Sequence, residues 1–186
     1  MNGHKFPGII VAIPGILFLL VLTSCSNSPT PEENAELFAL GESLCLEQRW
    51  GEARIVLREF LMDNPNHPGA HFYLGRSYLF WEEDFRPAIA EGELQTAFQL
   101  FMENDLESQI DRFSRKYFLI ICNIETVKVC LKEYDFLQSL GAPKSRLRPI
   151  ALRARMYLDV ARRVDAEHKD VIDFEEPVRL IEAATS

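Results

Sequence analysis

The stretch Asn64-Pro65-Asn66-His67-Pro68-Gly69-Ala70-His71-Phe72-Tyr73-Leu74-Gly75 ends on a Leu-Gly pair, and the same pair stands 34 residues earlier as Leu40-Gly41. Leu44 is followed at the same distance by Tyr78. A recurrence of this length is one helix–turn–helix unit, which cannot bury its apolar face alone and stacks on a copy of itself. Stacked units form a curved binding surface more readily than a catalytic pocket. The period therefore predicts an all-α fold, a short α-solenoid of helix–turn–helix repeats, and a binding scaffold as the kind of function.

Around the period, Leu37, Leu40, Gly41 and Leu44 recur three or four apart, on one helical face. Gly41 has no side chain, so a second helix can approach its backbone. Trp50, Ala53, Leu57 and Phe60 make the matching stripe of that second helix, with Ala53 as the small residue at the crossing. Pro65 ends the helix, because proline cannot donate into it and restricts the residue before it. On these residues the chain resembles the tetratricopeptide repeat family, over about residues 34–100. Leu37, Leu40-Gly41, Leu44, Trp50, Ala53, Leu57 and Pro65 stand where that pattern has its large, Leu-Gly, large, aromatic, Ala, large and Pro residues. In the second unit Leu74, Gly75 and Tyr78 keep register. Phe85 and Ala88 then arrive 35 residues after Trp50 and Ala53, which predicts one extra residue in the turn Trp81-Glu82-Glu83-Asp84. Gly92 and Leu100 replace the expected large residue and the terminal proline. The repeat-packing set is thus Leu40, Gly41, Ala53, Pro65, Leu74, Gly75, Tyr78 and Ala88.

At the N-terminus, Lys5 precedes an apolar run from Ile9 to Leu22, interrupted by Pro14-Gly15. The run is short for a membrane span, which needs about 20 residues, and suits the core of a secretory signal. It ends Leu22-Thr23-Ser24-Cys25, which resembles the lipobox of bacterial lipoproteins; the alternatives are an uncleaved anchor or a chance cysteine. The resemblance implies cleavage before Cys25 and lipidation of its thiol, and several acyl chains on one cysteine anchor a protein stably. Ser26 in place of Asp implies, by the same resemblance, outer-membrane sorting in an organism that has one.

Removing residues 1–24 leaves 162 of the 186 residues and takes away Lys5 but no acid, so the formal charge becomes one unit more negative than −8. An acidic chain of this kind is not expected to bind nucleic acid through bulk charge. Cys25 to Thr30 reach about 17 Å fully extended, so the repeats are expected close to the membrane. Thr30-Pro31-Glu32-Glu33 reads as a capping box that starts the domain.

From Leu106 the apolar residues Ile110, Phe113, Tyr117, Ile120, Ile121, Ile124, Val127, Leu131, Tyr134 and Leu137 step by three or four. They predict one long helix, or two joined near Cys122-Asn123, ended by Gly141-Ala142-Pro143. A helix over about 146–166 caps the stack. Residues 169–186 are weakly patterned, with Pro177 as the possible start of a short helix. The predicted organisation is a signal peptide over 1–24, a lipidated linker over 25–30, two repeats over 31–102, a degenerate repeat with its capping helix over 103–168, and a tail over 169–186.

Candidate chemistry is sparse. Cys45, Cys122 and Cys130 read as small buried hydrophobes or, with Cys45 as one partner, as a disulfide and a free thiol. Their spacing does not suit a metal. His67 and His71 are four apart, but Pro68 starts a helix between them. A Cys45–His71 pair lacks an orienting group and an oxyanion site. No catalytic residue, metal, cofactor or small-molecule substrate is therefore expected. Residues 82–107 are strongly acidic, and residues 144–163 hold seven bases against Asp159. That basic helix reads either as a contact for anionic lipid or an acidic partner, or as a solvated face.

The family resemblance also implies a concave groove lined by the first helix of each unit. The matching positions are Phe38, Glu42, Cys45 and Leu46 in the first unit and Phe72, Arg76, Leu79 and Phe80 in the second. Phe38, Glu42, Phe72, Arg76, Leu79 and Phe80 are the expected contacts for an envelope protein or a peptide segment of one. The other possibility is that the C-terminal helices fill this groove as core. The expected whole is an envelope lipoprotein that scaffolds protein contacts; the other readings are a structural subunit of one permanent complex, or an enzyme or activator using Cys45 or the histidines.

Overall fold

A computed structural model describes residues 30–103 and 113–186. The signal segment, Cys25, Leu106 and Ile110 lie outside the described residues. Those described form seven α-helices: α1 (Pro31–Leu46), α2 (Trp50–Asp63), α3 (Pro68–Phe80), α4 (Pro87–Glu103), α5 (Arg115–Ser139), α6 (Lys144–Val164) and α7 (Lys169–Thr185). A single 3-10 turn, Glu82–Asp84, joins α3 to α4. No strand occurs among the described residues, and none of their helices is long and apolar enough to cross a membrane.

The helix ends follow the local sequence. Thr30 and Glu33 form the expected capping box, with Glu33 N–H donating to Thr30 Oγ1 at 3.2 Å and Thr30 N–H to Glu33 Oε2 at 2.7 Å. α2 stops at Asp63, two residues before Pro65. His67 caps α3 through Nδ1, which accepts from Ala70 N–H at 3.0 Å. α5 is one continuous helix through Cys122-Asn123; Asn123 Nδ2 donates to Leu119 O at 2.9 Å, so its amide is served within the helix.

Each helix packs on the next, and the odd-numbered helices also touch one another along the series α1, α3, α5, α7. Between even-numbered helices the contacts are long side-chain ones, Arg153 and Tyr157 of α6 reaching Glu91 of α4, so the odd-numbered helices form the closely packed inner row. α5 and α6 form the degenerate third unit, and α7 covers them as the cap. That corrects two expectations. The helix over 144–164 is the second member of a hairpin and not the cap, and residues 169–186 are a packed helix and not a tail. Pro177 lies inside α7 and does not start it. His168 supplies the cap, and buried Val171, Val178 and Ile181 hold the helix through the proline.

The crossings are built on glycine. A Cβ on Gly41 would stand 2.6 Å from Leu57 Cδ2, and one on Gly75 would stand 2.7 Å from Leu94 Cγ. Ala53, Leu57, Ala90, Leu94 and Ala97 are all fully buried. The second helices therefore repeat at 37 residues (Ala53 to Ala90, Leu57 to Leu94), while the first helices repeat at 34. The turn holds three extra residues, not one. Ala88 is accordingly exposed and is not the packing residue; Ala90 is, and Gly92 faces open space. Leu40 is also misplaced by the sequence pattern. It is 49% exposed, because among the described residues α1 packs on α2 and α3, while α3, which carries its counterpart Leu74, also packs on α4 and α5.

The core has two parts that share α5. Phe118, Ile121, Cys122 and Val129 face the first two units. Ile120, Ile124, Val127, Cys130 and Tyr134 face α6 and α7.

Candidate protein-binding face

The inner face is where partner contacts were expected, and the structure divides the six expected residues. Phe72 and Leu79 are buried in the core. The Phe72 ring lies 5.7 Å from Phe113 and 5.5 Å from Phe118, so the start of α5 covers it. These two are corrected from groove anchors to core residues. The third unit supplies apolar surface that α3 must bury.

The other four remain at the surface in part. Phe38 packs against Phe60 at 5.4 Å and His67 at 4.4 Å. Phe80 stacks on Trp50 at 5.2 Å. Tyr73 donates its hydroxyl to Glu42 Oε1 at 2.5 Å, which ties α1 to α3. Arg76 lies over Phe72 and Phe80, 5.7 and 5.4 Å from their centroids, and its Nε is 3.7 Å from Glu125 Oε1. Lys128 Nζ donates to the same oxygen at 3.1 Å and lies 5.7 Å from the Phe174 ring of α7. Arg76, Glu125 and Lys128 thus form a line of charge across α3 and α5, and Glu42 of α1 lies on the same side through its bond from Tyr73. Tyr117 belongs to the same field. Burial pushes its phenol above the ordinary value, Asp170 and Glu125 add to that, and Arg76 opposes it.

Glu125 is the unexpected member. Its side chain is 3% exposed, and Oε2 has no hydrogen-bond donor among the described residues. Arg76 Nε is likewise unserved. Buried polar atoms are nearly always partnered, so exceptions mark places where something else binds or moves. A carboxylate between Ile124 and Thr126, in the middle of an apolar run, was the available sequence signal.

Cys45, Cys122 and Cys130 are free and buried. Burial pushes the Cys45 and Cys130 thiols up to about 12, and Cys122 well above its ordinary value. Cys45 Sγ donates to Tyr73 O at 3.6 Å. The Cys45–His71 pair is not formed. His71 Nδ1 lies 2.6 Å from Glu93 Oε2, and its Nε2 lies 2.8 Å from Pro65 O. Burial lowers the His71 imidazole, but these two hydrogen bonds and the charge of Glu93 carry it above its ordinary value. Among the described residues no cluster of His, Cys, Asp or Glu could hold a metal.

The basic helix turns out to tie units together. Arg153 donates to Glu91 on α4 at 2.7 Å and to Glu133 on α5 at 2.5 Å. Arg155 reaches Glu175 and Glu182 on α7 at 3.1 and 2.7 Å. Arg162 pairs with Asp159 and Glu175. Arg146, Arg148 and Arg163 are exposed and without an ion pair among the described residues. Arg54, absent from the sequence-derived set, is buried; it donates to Asp84 Oδ2 at 2.6 Å and lies 3.7 Å over the Tyr78 ring.

Compared with known proteins, the chain matches no family model, no curated protein and no solved structure.

Proposed function

We propose that the chain is a bacterial envelope lipoprotein, lipidated at Cys25, whose tetratricopeptide-like stack binds a protein partner on the face of its odd-numbered helices. The observation that carries the binding reading is the charged row Arg76–Glu125–Lys128, with a buried carboxylate oxygen left unserved at its centre. Burying such a row without a role costs stability. Half-buried Phe38 and Phe80 supply apolar contact beside it, so charge sets register and the rings add affinity. The anchoring reading rests on Leu22-Thr23-Ser24-Cys25 and the apolar run before it.

Intact mass of protein extracted from native membranes tests the anchor: the expected N-terminus is Cys25 carrying acyl mass, and any other start ends that reading. A photo-crosslinking residue in place of Lys128 tests the face. It is expected to capture a discrete partner that the same residue at exposed Arg58 on α2 does not. Equal capture at the two positions would remove the inner face as the binding surface.

A further inference from the structure

The three residues that break the repeat, Glu82–Asp84, form one wall of a cleft of about 480 Å³ whose other wall is the last turns of α5. The fold does not need a longer turn here, since the first unit joins its helices without one. The turn is nevertheless held firmly. Asp84 accepts from Arg54 at 2.6 Å and from Arg86 at 2.7 Å, and the guanidinium of Arg54 is itself fixed over Tyr78 and Trp81. The cleft is therefore preformed.

Its charges are unevenly committed. Lys132 points inward, donating Nζ to Leu79 O at 2.9 Å and lying 4.7 Å from the Phe85 centroid. Asp84 is occupied by its two arginines, and Glu133 by Arg153. Glu82 and Glu83 are exposed and have no ion pair among the described residues. Beneath them lies an apolar floor of Phe85, Phe136 and Leu137, with Phe136 55% exposed and Leu140 one turn further on 67% exposed. Two free carboxylates over an open aromatic and aliphatic floor are complementary to a cation carried next to an apolar side chain. The volume lies within the range of small-ligand pockets.

We propose that this cleft docks a short basic–apolar segment of a partner polypeptide, a Leu or aromatic side chain flanked by Lys or Arg. The apolar side chain packs on Phe136 and Phe85, and the flanking cation meets Glu82 and Glu83. The site is separate from the inner face, and neither proposal depends on the other.

The probe is the capped hexapeptide Ala-Lys-Leu-Trp-Lys-Ala, titrated into the full chain in detergent and followed by amide NMR, beside its charge-reversed form Ala-Glu-Leu-Trp-Glu-Ala. The basic peptide is expected to give saturable shifts at Glu83, Phe85 and Phe136, with affinity falling as salt rises. The acidic peptide, and the basic peptide on an E82K/E83K double variant, are each expected to bind about tenfold or more weakly, a difference of about 1.4 kcal/mol. The double variant should keep its melting temperature, since both positions are exposed. Equal binding of both peptides, shifts confined to the inner face, or no shift in the cleft at the highest soluble peptide concentration would overturn the proposal. So would cleft shifts that follow protein concentration without peptide, since the occupant would then be a second copy of the chain.

Discussion

Replacing Gly75 and Gly92 in turn by alanine applies one chemical change to two helices with opposite expected results. In both, alanine improves helix propensity by up to about 1 kcal/mol. At Gly92 a Cβ meets nothing within 4 Å, so the gain is expected in full. At Gly75 it would stand 2.7 Å from Leu94 Cγ and 3.1 Å from both Leu94 Cδ2 and the Leu94 backbone nitrogen. Carbon contacts are comfortable at about 3.5–4.0 Å, so α3 and α4 must separate by several tenths of an ångström around a fully buried leucine. Overpacking of this kind costs about 1–3 kcal/mol. Because the propensity gain is common to both variants, their difference isolates the crossing. Gly75→Ala is expected about 1–3 kcal/mol below Gly92→Ala. For a domain of this size that is roughly 2–12 °C in melting temperature, at about 2–4 °C per kcal/mol. The assay is denaturant unfolding followed by helical circular dichroism, with an unchanged slope as the condition for comparison. Trimming Leu94 to alanine in the same background should shrink the Gly75→Ala penalty, since most of the clash is with that side chain. If Gly75→Ala is as stable as Gly92→Ala, the helices do not cross at Gly75 and the 37-residue register of the second helices is wrong.

Phe72→Ala should cost about 3–5 kcal/mol of stability, as expected for a large buried side chain, and loss of binding without loss of stability would return it to the surface. Asp84→Ala should lower the melting temperature, since the carboxylate that holds both Arg54 and Arg86 is lost. The penalty should fall in an Arg54→Met background; an unchanged penalty in that double-mutant cycle would mean that the pair does not fasten the turn. The two histidines should give opposite pH limbs. Burial holds the His67 imidazole down to about 4, and it must be neutral to cap α3. The unfolded chain therefore takes up a proton that the folded chain refuses as pH falls below about 6.5, and stability is lost over that window. His67→Asn, which keeps a capping acceptor, should flatten melting temperature between pH 7 and pH 5. His71 is raised instead, so its contribution is present below about 6.5 and lost as pH rises through its folded value. His71→Gln should flatten that alkaline limb, and an unchanged limb would remove His71 as its source.

What the sequence made legible is what short-range rules control. The glycines Gly41 and Gly75, the capping box at Thr30 and the stops at Pro65 and Gly141 each depend on a few neighbouring residues, and each stands where it was expected. What it hid depends on partners distant in the chain. A period of 34 fixes the first helices but says nothing of turn length, and α4 offers Ala88, Ala90 and Ala97 as small residues that could meet α3. Only the space beside Gly75 selects the face containing Ala90 and Leu94. Leu40 and Leu74 both precede the repeat glycine and are opposite in burial, because among the described residues α3 packs on more helices than α1 does. Phe72 looked like an anchor for the same reason: before α5 is placed, an aromatic on the inner face of α3 has nothing to cover it.

That dependence on the third unit has a functional consequence. In a stack with an open groove the aromatic positions would carry the binding, but here Phe72 and Leu79 are used up in holding α5. What remains partly accessible on the inner face is Phe38 and Phe80 beside the polar Glu42, Arg76 and Lys128, the two cations lying against a carboxylate that the fold buries without fully serving. Recognition on this face should therefore be selective more than tight, since charge complementarity favours register and specificity over affinity. Further and more exposed apolar surface lies at Phe136 and Leu140 beside the inserted turn. A partner that used both surfaces would gain from linkage what neither site supplies alone, and one short turn, held by Arg54, would then be the difference between a plain helical stack and a two-site scaffold.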